Sequence, residues 1–125
     1  MWTYQEFTGS QVELSTQLQN FLNTRDKDES VHAKIASADV RTAAARTVVF
    51  WNTDVPSTPL PLPIGTIWTH ETYSTTGPTT CWYECIYRKI ADKLNSLTMQ
   101  QSCYAKICFT DAEGYPASIS IYWLD

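Results

Sequence analysis

Four cysteines, Cys81, Cys85, Cys103 and Cys108, come nearest to a chemical site by residue type and spacing. Cys-x3-Cys followed by Cys-x4-Cys superficially suits a structural zinc ion, which takes four convergent thiolate or imidazole ligands. The alternation of the chain opposes that use. Cys103, Ala105 and Ile107 alternate with Tyr104 and Lys106 as in a strand, which puts Cys103 and Cys108 on opposite faces. No metal site is therefore expected, and a disulfide is disfavoured in a reducing cytoplasm. His32 and His70 have no neighbours that complete a triad, because His70 and Glu71, adjacent in sequence, point to opposite sides of a strand. There is no nucleophile elbow and no glycine-rich phosphate loop, so no catalytic residue and no cofactor are assigned. A non-enzyme is the expectation; an acid–base pair assembled from distant positions is the alternative.

The elements that position these residues repeat. Displaced by 72 positions, His32-Ala33-Lys34-Ile35 lies over Tyr104-Ala105-Lys106-Ile107, and Leu22-Asn23 over Leu94-Asn95. The same displacement pairs Ser30 with Ser102, Asp39 with Asp111, Ala45 with Ala117 and Trp51 with Trp123. Upstream, a displacement of 66 puts Trp2-Thr3 over Trp68-Thr69, the difference falling in the Thr/Gly/Pro-rich stretch 75–80. The chain therefore reads as a tandem duplication. Its parts are a first β-α-β-β repeat (1–52), a proline-rich connector (53–66) and a second repeat (67–125).

Within a unit, a strand over Trp2–Thr8 or Ile67–Ser74 leads. The helix that follows begins at the capping box Ser10-x-x-Glu13, with Leu14, Leu18, Phe21 and Leu22 on one stripe; the second stripe is Trp82, Ile86, Ile90, Leu94 and Leu97. Period-two alternation then marks two strands. The clearest is Ile119, Ile121 and Trp123 against Ser118, Ser120 and Tyr122, and the turn residues from Asp111 to Pro116 predict a hairpin. The fold class is α+β: antiparallel sheet or sheets with two helices packed on one face. Each unit is marginal alone, so the two are expected to share one core as a pseudo-twofold pair. Pro56, Pro59, Pro61 and Pro63 make the connector an extended spacer.

On this scheme the sheet face away from the helices carries His32, Lys34, Val48 and Phe50 in one unit and Tyr104, Lys106, Ser120 and Tyr122 in the other. His32, Lys34, Phe50, Tyr104, Lys106 and Tyr122 form the candidate interface or ligand face. Two matched lysines among aromatics suit either a subunit interface with an aromatic centre or a small anionic ligand; an ordinary solvated face is the plain reading.

Composition narrows the partners. The net charge is −4 and no basic run exists, so the footprint of a nucleic-acid binder is missing. No stretch is apolar for long enough to span a bilayer, and the N-terminus lacks a signal core. A cytoplasmic location, or a virion if phage-encoded, is expected. Aromatic residues make up 13% of the chain, enough to place some rings on a surface or in an interface.

The helix ending Leu18–Asn23 with Ile35 and Val48–Trp51, and again Ile90–Asn95 with Ile107 and Ile119–Tyr122, resembles a family of very short bacterial sporulation-associated and phage proteins, each the length of one unit here. The resemblance implies no defined activity and a bacterial or phage origin. A non-catalytic assembly or interaction protein, a homo-oligomer or a phage structural or accessory component, is the first expectation. A binder or sequestering protein for an anionic, nucleotide-like molecule is the second.

Overall fold

The computed structural model describes residues 1–38, 45–56, 59–74, 82–111 and 118–125. The first unit runs β1 (Trp2–Gly9), α1 (Gln11–Asn23), α2 (Lys27–Val31), β2 (Lys34–Ala38) and β3 (Ala45–Asn52). The second repeats the order: β4 (Trp68–Ser74), α3 (Trp82–Ser96), α4 (Met99–Tyr104), β5 (Lys106–Asp111) and β6 (Ser118–Leu124). Each forms its own three-stranded antiparallel sheet, ordered β1-β3-β2 and β4-β6-β5, so the fold is α+β. The expected hairpins are present as the pairs β2–β3 and β5–β6. Their connecting loops, and the 75–80 insertion, lie outside the described residues.

Local chemistry sets the helix starts. The Ser10 hydroxyl accepts from the Glu13 N–H and the Glu13 carboxylate accepts from the Ser10 N–H, both at 3.3 Å, the reciprocal capping box read from the sequence. Gly9 turns β1 directly into this helix at φ +148°, where a Cβ would lie 2.7 Å from the Glu13 carboxylate. A second capping box, Thr98 with Gln101, starts α4. The short helices α2 and α4 replace the start of the strands that the alternation of Val31, Ala33 and Ile35 and of Cys103, Ala105 and Ile107 predicts. Val31 ends α2, Cys103 lies in α4, and the strands begin only at Lys34 and Lys106.

The units do not pack as a twofold pair. Ladder register puts Trp2, Tyr4, Glu6, Lys34, Ala36, Val48 and Phe50 on one face of the first sheet, and Phe7, Val49 and Trp51 on the other. Helix α1 covers the second face, with the Phe21 ring edge-on to Phe7 and Trp51 at 5.6 and 4.8 Å. The first face is covered by α3 of the other unit. There the Tyr87 ring lies 5.7 Å from Tyr4 and 6.3 Å from Phe50.

Helix α3 also packs on its own sheet, where Lys93 sits 4.4 Å over the Trp123 ring and Tyr83 lies 6.4 Å from Phe109. The shared core therefore runs sheet, α3, sheet, through Trp2, Val48, Phe50, Ile86, Tyr87, Ile90, Leu94, Ile119, Ile121 and Trp123. The expected placement of helices on one face holds within each unit, α1 and α3 lying on equivalent faces of their own sheets. Across units it fails, because α3 fills the space between the sheets while no comparable packing joins α1 to the second sheet. The connector also packs rather than merely spacing: Val55 and Leu60 rest on the core, and the Leu60 carbonyl accepts from the Tyr104 hydroxyl at 2.7 Å.

Candidate functional site

The six candidate residues separate into buried and open groups. Lys34, Phe50 and Tyr4 lie side by side on the first sheet, as Lys106, Tyr122 and His70 do on the second. These rows are equivalent, but their surroundings differ. Phe50 is 0% exposed beneath Tyr4 and Tyr87, which corrects its expected place on an outward face. The reason is that α3 occupies that face.

Lys34 is corrected in the same way. It is 8% exposed, and its ammonium crosses to the second unit. It donates to the Cys103 carbonyl at 2.9 Å and the Ala105 carbonyl at 2.6 Å, and sits 5.2 Å over the Trp2 ring. Burial lowers its pKa from the ordinary 10.5 to about 8, with repulsion from Lys106 adding to the effect. Lys34 is thus a clasp between the units.

Other bonds complete this joint. The Trp2 indole N–H donates to the Ser102 hydroxyl at 2.9 Å in a buried setting. The Asn95 side-chain amide reads both backbone groups of Trp2, accepting from its N–H at 2.7 Å and donating to its carbonyl at 3.2 Å. The Tyr87 hydroxyl donates to Glu6, whose carboxylate also takes Arg46 at 2.8 Å; burial first, then Glu6, raises the Tyr87 pKa. Sequence reasoning missed Trp2, Asn95 and Ser102 as a working set, although each belongs to an identity pair between the repeats.

The second row stays open. Tyr122 stacks on His70 at 5.4 Å, and Lys106 is exposed. Neither long helix covers this face, which carries Trp68, His70, Thr72, Lys106, Cys108, Ser120 and Tyr122. Its centre is polar and closed over: Thr72 bonds Ser120, and Ser74 bonds Ser118, each at 2.6 Å, and both Ser118 and Ser120 are buried. The segment that leads into β4 carries exposed apolar side chains. Leu62, Ile64 and Ile67 are strongly exposed, Ile64 fully at 100%, and Trp68 is 47% exposed.

His32 and Tyr104 meet edge to face at 6.2 Å where β2 and β5 approach each other. The cleft there, about 260 Å³, is lined by Val31, His32, Lys34, Ala105, Lys106 and Ile107 among others, and by no carboxylate.

The cysteines do not converge. Cys103 is buried and free, Cys108 is exposed and free, and Cys85 is disulfide-bonded, contrary to the expectation of reduced thiols; its partner lies outside the described residues. Among the described residues no group of three or more His, Cys, Asp or Glu side chains is placed to hold a metal ion. No helix among them is long and apolar enough to cross a membrane. No family model, no curated protein and no solved structure matches the chain.

Proposed function

We propose that the protein is a non-catalytic assembly protein that works through the open face of its second sheet and the exposed apolar segment that leads into it. The observation that carries this reading is the exposed run Leu62, Ile64, Ile67 and Trp68, which leads into a sheet face that no long helix covers. Four exposed apolar side chains within one short segment suit a surface that a partner covers. The adjoining Trp68, His70 and Tyr122 supply the amphipathic rings favoured at interface centres. A phage structural or accessory component is the finer form of the proposal. Genes for capsid or tail parts beside its own would support that form, and their absence would count against it.

The test is solution mass across a wide range of protein concentration. Growth in multiples of 14.2 kDa supports assembly. A mass of one chain at every concentration, unchanged by Ile64→Ser, overturns it. A second reading, a small anion held at the β2–β5 cleft, is supported by the approach of Lys34, His32 and Lys106 with no lining carboxylate. It predicts a rise in melting temperature with added nucleotide or inorganic phosphate that Lys106→Ala abolishes; no response across such a panel rejects it.

A further inference from the structure

The joint between the two units is one-directional. The face that gives carries Trp2 and Lys34; the surface that receives carries Asn95, Ser102 and the carbonyls of Cys103 and Ala105. Each of these four side chains has an identical counterpart in the other repeat, whereas the Tyr87–Glu6 bond of the joint does not, Ser15 and Thr72 standing at those positions. Trp68 corresponds to Trp2, Lys106 to Lys34, Asn23 to Asn95 and Ser30 to Ser102. Among the described residues the side chains of Trp68 and Lys106 make no hydrogen bond to the first unit, and Asn23 is exposed at the end of α1.

The receiving surface is also built alike. The Ser30 hydroxyl donates to the Lys27 carbonyl at 3.0 Å, as Ser102 does to Met99 at 3.1 Å, so both leave lone pairs for an incoming indole N–H. The turn after each short helix closes through Ala33 N–H to Ser30 at 3.2 Å and Ala105 N–H to Ser102 at 3.3 Å. The carbonyls of Val31 and Ala33 therefore stand at positions equivalent to those that Lys34 grips in the second unit.

We infer that the open face of one copy docks on α1 and α2 of the next copy, repeating between chains the joint that links the two units within a chain. Trp68 donates its indole N–H to Ser30 of the next copy, Asn23 of that copy pairs with the Trp68 backbone, and Lys106 grips the Val31 and Ala33 carbonyls. This inference rests on the assembly reading and names its partner, a second copy of this chain. The interface is heterologous, so assembly proceeds head to tail and either closes as a ring or extends. It is more polar than the internal joint. Gln19 stands where the internal joint has Ala91, and Ser120 and Tyr122 stand where it has Val48 and Phe50. Copies therefore associate reversibly and with concentration, while the two units of one chain stay joined.

Two variants with altered surface residues test this. One blocks the giving face (Trp68→Ser with Lys106→Glu) and the other the receiving face (Asn23→Arg with Ser30→Lys). Circular dichroism verifies that each is folded, and Lys106→Glu and Asn23→Arg singly replace any pair that is not. Each blocked variant alone loses the oligomers of the unaltered chain, and an equimolar mixture recovers a two-chain species and nothing larger. Variants that assemble as the unaltered chain does overturn this interface while leaving the assembly reading standing. Folded, monomeric variants that stay monomeric when mixed overturn the head-to-tail geometry. An unaltered chain that is monomeric at every concentration overturns the assembly reading itself.

Discussion

Lys34 makes the stability of this protein depend on alkaline pH in a direction opposite to that of most proteins. Its ammonium is less favoured in the folded chain, where the pKa is about 8, than in the unfolded chain, where it is 10.5. Between those values the unfolded chain binds more protons, so stability rises with pH. The full difference is equivalent to about 3 kcal/mol, and about 2 kcal/mol of it is recovered between pH 7 and pH 9.5. Above about pH 10 the trend reverses, because Tyr73 and Tyr87 have raised pKa values and the unfolded chain then loses phenolic protons first.

Urea unfolding followed by tryptophan fluorescence at half-unit steps from pH 7 to 9.5 measures the slope. In Lys34→Met the slope flattens. Stability at pH 7 changes little, because relief of a buried charge offsets the ammonium bonds lost by the Cys103 and Ala105 carbonyls. Lys106→Met, at an exposed site, retains most of the slope. A flat profile in the unaltered protein, or the same slope in Lys34→Met, refutes the buried-clasp account.

Four further outcomes follow from the packing. Gly65→Ala drives a Cβ into the backbone of Asp125 and should cost about 2 kcal/mol, read as a fall in urea midpoint without a change in slope. Tyr87→Phe leaves Glu6 with Arg46 alone and should cost about 1–2 kcal/mol in the same assay. Because the Tyr87 phenol resists ionisation, folded Tyr87→Phe and unaltered protein should show matching phenolate absorbance up to about pH 11. A thiol reagent on native protein should modify exposed Cys108 within minutes, buried Cys103 only on unfolding, and Cys85 only after a reductant, as peptide masses would show.

Much of the fold was legible because local signals agreed with one another. Ser10 and Glu13 marked the start of α1, and alternation in 118–123 marked a half-covered strand. The repeat predicted a strand, a helix and two strands in the same succession in both units. The short helices were not read, since Val31, Ala33 and Ile35 alternate whether or not the first of them ends a helix. Thr98-x-x-Gln101, the same capping signal used at Ser10, stood unread before α4.

The face assignment failed for a physical reason that was also visible. Thr47-Val48-Val49-Phe50-Trp51 is a continuous apolar run, the pattern of a strand buried on both sides, whereas Ser118-Ile119-Ser120-Ile121 alternates. That contrast marks which sheet receives a helix on its second face. Of the candidate site, Lys106 and Tyr122 lie on the open face as read. Lys34 and Phe50 went the other way because α3 of the neighbouring unit covers them.

The most direct test of the account is whether α3 lies on the first sheet. Nuclear Overhauser contacts between the ring protons of Tyr87 and those of Tyr4 and Phe50 report it, since the ring centroids are 5.7 and 6.3 Å apart. The one-directional joint between the two units predicts both contacts, together with one from the Trp2 indole N–H to Ser102. Their absence in the folded protein, with Tyr87 instead touching only residues of its own unit, would contradict it.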